Sequence, residues 1–218
     1  YHENFSSRET LDVRLNAFEG YMPKLGESAK KAKYVLLGNI SPEIQESVLG
    51  DMENPEFVIL DTMDLWIQTA NAKLRELIRR TDLLILNDSE AKMLSENRNI
   101  ICAGDALLEM GAKSVIIKTG EYGAMLFHPD GFFVIPAYPV RDLRDPTGAG
   151  DSFAGALAGY IAGAGKTDFE TIKLGMLAGA ATSSLTVESF SCYKLEESGL
   201  GEINRRCQYI EKITSIRR

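Results

Sequence analysis

From Tyr34 onward, hydrophobic residues gather into short consecutive runs. "YVLLGNI", "FVILD", "LLILND" and "SVIIKTG" each carry Val, Ile and Leu side by side. Strands buried on both faces have this signature, because neither side of the pleat meets water. Between the runs the spacing becomes helical. "SPEIQESVL" opens with Ser41 as an N-cap and Pro42 at the first helical position. "LWIQTANAKLRELIRR" repeats apolar residues at Ile67, Ala70, Leu74, Leu77 and Ile78, which predicts one helix with one buried face. "AGDALLEMGAK" carries Gly111 as a C-terminal stop.

Strand alternating with helix at this spacing predicts βαβ units, hence a parallel sheet with helices on both faces. "AMLFHPDGFFVIPA" breaks the alternation and reads as a hairpin turning at "PDG". Two more helices follow, from about Gly148 and from about Phe169. In the first, Phe153, Ala156, Leu157, Tyr160 and Ile161 form the apolar face. The opening segment, residues 1–25, is polar apart from "TLDVRL", which alternates like an exposed strand through Leu11, Val13 and Leu15. No repeat or low-complexity linker divides the chain after Tyr34.

Composition narrows the classes. The 218 residues are 44% hydrophobic and 25% charged, as in an ordinary globular domain. A net charge of −7 argues against nucleic acid or an anionic membrane as the main partner. Cys102, Cys192 and Cys207 are scattered with no C-x-x-C pair, which argues against zinc and predicts a reduced, cytoplasmic setting. His2 and His128 stand alone, so neither is expected to hold a metal. No apolar run reaches the length of a bilayer span and no signal-peptide pattern is present. With Tyr1 in first place, the expectation is a sequence that covers part of a longer protein or has lost an N-terminal segment.

One stretch carries chemistry. "DPTGAGDSFAGAL" places Gly148, Ala149 and Gly150 directly before Asp151, where an extended segment gives way to a helix. The first N–H groups of a helix lack internal partners and carry the positive end of its dipole. Glycines let a phosphate approach that backbone. An acid beside a bound anion is repelled by it, unless the carboxylate takes a proton from a hydroxyl attacking phosphorus. The alternative is a Gly-rich helix start with Asp151 as an ordinary first-turn acid. A dinucleotide G-x-G-x-x-G is excluded, since Phe153 stands where the third glycine belongs. "AGAGKT" imitates a P-loop, yet it follows a helix and has Tyr160 where the first glycine should be.

Extended to "DPTGAGDSFAGALAGYIA", Asp145 to Ala162, the stretch resembles the C-terminal signature of the ribokinase-like (PfkB) family of carbohydrate and nucleoside kinases. "NDSE", Asn87 to Glu90, is similar to that family's N-x-x-E motif. "KTGEYGAMLF", from Lys118, resembles its nucleotide-binding strand and glycine turn. The resemblance implies a three-layer α/β/α ribokinase-like sandwich over residues 26–218, with residues 1–25 a remnant of the lid region. The first sheet strands and most of the lid are not found in this sequence. It implies an ATP- and Mg²⁺-dependent kinase acting on an alcohol group of a sugar or nucleoside. Asp151 is then the general base, and Gly148, Ala149 and Gly150 form the anion hole. Asn87 and Glu90 organise the nucleotide, with Glu90 reaching Mg²⁺ through water. A capping box explains the same pair without a ligand.

Lys118, Thr119, Gly120 and Gly123 line the nucleotide site on the same resemblance, against a plain turn. Asp145 and Thr147, closed by "SLTVESF", match positions that bind a monovalent cation such as K⁺ in relatives. Asp61, at the end of "FVILD", becomes a substrate-side residue. Met63 and Leu65 stand where sugar kinases often have Asn and Arg, which weakens a ketohexose assignment. Several relatives pair lid strands between subunits, so a homodimer is the expected assembly. A non-enzymatic nucleotide-binding or assembly protein on the same scaffold is the competing class.

Overall fold

The computed structural model describes residues 20–215. "TLDVRL" and His2 lie outside them. Among the described residues, six strands form one sheet in the order β1-β2-β3-β4-β5-β6. They are β1 (Tyr34–Leu37), β2 (Phe57–Asp61), β3 (Leu83–Asn87), β4 (Val115–Lys118), β5 (Ala124–His128) and β6 (Gly131–Ile135). The first four are parallel, and β5 and β6 add antiparallel strands at one edge. The hairpin turns at Pro129 and Asp130, with His128 opposite Gly131 as the pattern predicts.

Each apolar run divides its side chains between two cores. Val58, Leu60, Leu84, Leu86, Val115 and Ile117 enter one. Phe57, Ile59, Leu83, Ile85 and Ile116 enter the other. This period of two within an unbroken apolar run is why the strands do not alternate in sequence. The first core is covered by α2 (Pro42–Asp51), α3 (Asp64–Thr69), α4 (Asn71–Ile78), α5 (Asp88–Ser95) and α6 (Ile100–Glu109), after a short α1 (Glu27–Lys30). The second is covered by α7 (Ala149–Ala164), α8 (Phe169–Thr186) and α10 (Leu200–Thr214), with a short α9 (Tyr193–Glu197) before α10. The architecture is the expected three-layer α/β/α sandwich. None of these helices is long and apolar enough to cross a membrane among the described residues.

Local chemistry sets the boundaries. The Ser41 hydroxyl accepts from the Ile44 N–H, with Pro42 opening α2 as expected. Gly111 follows α6 with φ +121, the left-handed stop its position suggested, although α6 begins earlier, at Ile100, capped by Asn99. The single helix expected over 65–80 is broken at Ala70, where φ is −133° and ψ 31°. The Asn71 side chain donates to the Ile67 carbonyl at 3.0 Å, taking the acceptor that the next helical N–H would have used. On α7 the buried face is Phe153, Ala154, Leu157 and Ile161, while Tyr160 is exposed. Helix α10 was not visible in the pattern because its two buried residues are Arg206 and Ile210, and an arginine breaks the apolar stripe. That arginine is satisfied by Ser184 at 2.8 Å, Glu188 at 2.7 Å and Glu202 at 2.9 Å, and it lies 4.6 Å from the Tyr138 ring centroid.

Helices α7 and α8 approach closely through glycine. A side-chain carbon on Gly179 would stand 2.8 Å from the Phe153 ring and 3.0 Å from the Phe153 carbonyl, and the carbonyl is backbone that cannot swing away. Gly159, on the outer side of α7, has nothing within 4 Å. Gly179→Ala is expected to destabilise the protein by about 1–3 kcal/mol despite its better helix propensity. Gly159→Ala is expected to stabilise it by roughly 0.5–1 kcal/mol. Urea denaturation of the two variants side by side checks the contrast.

Candidate active site

Asp61, Asn87 and Lys118 are the last residues of β2, β3 and β4, so three parallel strands end in polar side chains along one edge of the sheet. Ligands of open α/β sheets bind at this carboxyl edge. A cavity of about 620 Å³ opens there, bounded on the far side by Pro146 and the turn from Gly148 to Asp151. It brings together Asp61, Asn87, Glu90, Lys118, Gly120, Gly123 and the whole of Gly148–Asp151. Thr119, Asp145 and Thr147 are not part of its wall.

The turn before α7 has the shape the glycines suggested. Gly148 is the N-cap, with φ +82 in the left-handed region, and α7 begins at Ala149. The Ala149 N–H donates to the Pro146 carbonyl at 3.2 Å. The N–H groups of Gly148, Gly150 and Asp151 have no acceptor among the described residues. The donors left for an anion are therefore these three, at the positive end of a sixteen-residue helix. Asp151 is exposed in the same first turn. Ser152, one residue on, is fixed by the Thr186 hydroxyl at 2.7 Å, which ties the start of α7 to the end of α8.

Asn87 and Glu90 form a complete capping box for α5. The Asn87 side-chain oxygen accepts from the Glu90 N–H at 2.9 Å, and Glu90 Oε2 accepts from the Asn87 N–H at 2.8 Å. The alternative reading of this pair is thus realised, and both residues face the cavity at the same time. Thr119 closes the next turn, its hydroxyl donating to the Gly123 carbonyl at 3.0 Å. Gly123 has φ +105, and any side chain there would run into the Ile135 carbonyl, so this position accepts only glycine. Asp145 Oδ1 accepts from the Thr147 N–H at 2.9 Å, which holds its carboxyl below the usual range. The Arg144 and Asp145 N–H groups both donate to the Val187 carbonyl, at 2.8 and 3.3 Å, and so join this turn to the segment after α8.

Asp61 is buried and stands 3.5 Å from the Lys118 ammonium. Burial raises its carboxyl above the usual value, Lys118 opposes that, and the negative charge of Asp151 adds to it. Three neighbours were not singled out in the sequence. Gln45, buried on α2, donates to the Gly38 carbonyl at 2.8 Å and the Asp61 carbonyl at 3.0 Å, and so clamps the ends of β1 and β2. Asn39 lines the cavity and accepts from Trp66 at 3.0 Å. Thr62 lines it as well, and its buried hydroxyl has no partner among the described residues. The one available signal was position, since Asn39 and Thr62 each follow an apolar run that ends at the sheet edge.

Residues 17–197 match the model of the pfkB family of carbohydrate kinases, and the chain belongs to that family. A cytidine kinase from Thermococcus kodakarensis is 31% identical over 183 residues, covering 81% of this chain and 64% of that protein. The nucleoside kinase of Methanocaldococcus jannaschii, an archaeal member of the ribokinase family, superposes with a TM-score of 0.70 at 25% identity, over 89% of this chain and 60% of that one. A candidate ribokinase II from E. coli, in complex with ATP and Mg²⁺, gives a TM-score of 0.61 at 25% identity, over 77% of this chain and 53% of that one. The chain thus spans less than two thirds of each of these relatives.

The native Asp61 carboxyl binds its proton more tightly than an aspartate near 3.8 does in the unfolded chain. Its contribution to stability is full below that pH and is lost as pH rises through the raised native value. Asp61→Asn mimics the protonated side chain. The melting temperature of Asp61→Asn relative to wild type is therefore expected to climb as pH is raised from 3.5 towards 7, as thermal melts across that range would show.

Proposed function

We propose that the intact protein is an ATP-dependent kinase that phosphorylates a hydroxyl group of a sugar or nucleoside. The observation that carries this reading is the first turn of α7. There, three N–H groups without acceptors and the Asp151 carboxylate face one cavity at the carboxyl edge of the sheet. A carboxylate beside an anion site serves as a base for an attacking hydroxyl better than it serves ground-state binding of the anion. Asp151 takes the proton of the acceptor hydroxyl as its oxygen attacks the γ-phosphorus. The bond from that phosphorus to the bridging oxygen breaks, ADP leaves, and the Gly148, Gly150 and Asp151 N–H groups hold the charge spread over the phosphoryl oxygens.

The nucleotide would lie along the turn of Thr119, Gly120 and Gly123, with Asn87 and Glu90 towards its phosphates. Mg²⁺ would neutralise charge on those phosphates. Among the described residues no group of three or more His, Cys, Asp or Glu is placed to hold a metal ion. The donor set nevertheless fits Mg²⁺, which is held on nucleotides by one or two carboxylates, phosphate oxygens and water. The E. coli neighbour with ATP and Mg²⁺ supports that choice of cofactors. A monovalent cation would sit by Asp145, where the Val187 carbonyl closes the turn. The cytidine kinase and nucleoside kinase relatives support a nucleoside acceptor, and the carbohydrate-kinase family model supports a sugar.

Asp151→Asn in the intact protein tests the mechanism. It should lower turnover roughly 10²–10⁴-fold, the usual worth of a general base, with nucleotide affinity little changed. Steady-state kinetics across a panel of nucleosides and sugars, with calorimetry for ATP–Mg²⁺, reads both quantities. Unchanged turnover in the variant would remove Asp151 from the role. Nucleotide binding by wild type with no turnover of any acceptor would favour the non-enzymatic reading.

A further inference from the structure

Lys118 is placed oddly for a simple strand-end ion pair. It lies two strands away from Asp61, and its side chain crosses over the end of β3, where Asn87 is its direct neighbour in register. The contact it makes with Asp61 is loose, at 3.5 Å. An ammonium carries three N–H donors, and this is the only hydrogen bond the Lys118 ammonium makes among the described residues. On its other side the amine faces the anion turn, and a side-chain carbon on Gly150 would stand 3.1 Å from Nζ. The walls of the cavity carry four carboxylates, Asp61, Asp88, Glu90 and Asp151, and Lys118 as the one cation among the described residues. The ammonium and the helix N-terminus, the two positive features of the site, thus meet at Gly150.

We propose that Lys118 binds the transferred phosphoryl group beside the α7 turn, its ammonium acting together with the N–H groups there, and that Asp61 is a positioning residue that holds the ammonium in place rather than a substrate contact. The inference rests on the kinase reading above and adds to it a residue from β4 that distinguishes a nucleoside triphosphate from the diphosphate. Asp61 suits the task because it is buried and anchored through its own backbone by Gln45. With its backbone held there, its carboxylate restricts where the amine can go. The loose contact leaves the amine free to turn towards a phosphate oxygen without leaving its partner.

The experiment is calorimetric titration of the intact protein with ATP–Mg²⁺ and with ADP–Mg²⁺. The proteins compared are wild type, Lys118→Met, Lys118→Arg, Asp61→Asn and the double variant Asp61→Asn/Lys118→Met. Lys118→Met should weaken ATP roughly 10- to 100-fold, the worth of a hydrogen bond to a charged group, and ADP less than about twofold. Lys118→Arg should keep most of the preference for ATP. Asp61→Asn should lose part of it, and the double variant should be no worse than Lys118→Met alone, since a positioning residue has no effect once its target is gone. The double variant also reads the same ratio without stranding a buried carboxylate. Lys118→Met that weakens ATP and ADP equally, or neither, overturns the role of Lys118. Additive losses in the double variant overturn the role of Asp61. Wild type that binds neither nucleotide overturns the kinase reading and the inference with it.

Discussion

The site depends on how closely α7 can lie against α8. Where Gly175 and Gly179 face α7 there are no side chains, so Leu157 and Phe153 rest directly on the second helix. The same two residues share a core with Ile59, Ile85 and Ile116 of the sheet. The axis of α7 is thereby fixed from two directions, and its first turn is carried to the carboxyl edge of the strands. The Ser152–Thr186 hydrogen bond then sets the turn against the end of α8. Without that approach the three N–H donors would still exist, but they would not face Asp61, Asn87 and Lys118.

What gathers at the edge is an electrostatic arrangement that no single segment contains. Among the described residues, four carboxylates line the cavity together with one ammonium and one helix N-terminus. An arrangement so rich in negative charge can hold a polyphosphate only where cations and backbone dipoles outweigh the acids locally. The raised Asp61 carboxyl is the cost of placing an acid in such a buried position. Asp145, in contrast, is held in its charged form by the turn it makes with Thr147. The two acids differ because one is buried among charges and the other sits at a turn that donates to it.

The parts of this molecule that are local in the chain were legible as sequence. Four unbroken apolar runs became the four parallel strands, and "PDG" became the hairpin turn. The glycines before Asp151 became a helix start with Gly148 in the left-handed region. Asn87 and Glu90 are equally local, and their capping box follows from their spacing of three. The helix break at Ala70 was hidden because both halves keep the same apolar spacing, and a side-chain hydrogen bond from Asn71 decides the break. Helix α10 was hidden because its central buried residue is an arginine, paid for by Ser184, Glu188 and Glu202 on other parts of the chain.

By itself, the sequence determined the six strands, several of the helices and the glycine turn that precedes Asp151. Periodicity and glycine placement act over a few residues, so they can be read without knowing the neighbours. The tertiary structure alone decided that Lys118 meets Asp61, fifty-seven residues earlier, above the end of β3. It also decided that the Lys118 amine stands beside Gly150. Those contacts depend on strand order and on the packing of α7 against α8. Nothing within reach of a local pattern encodes them.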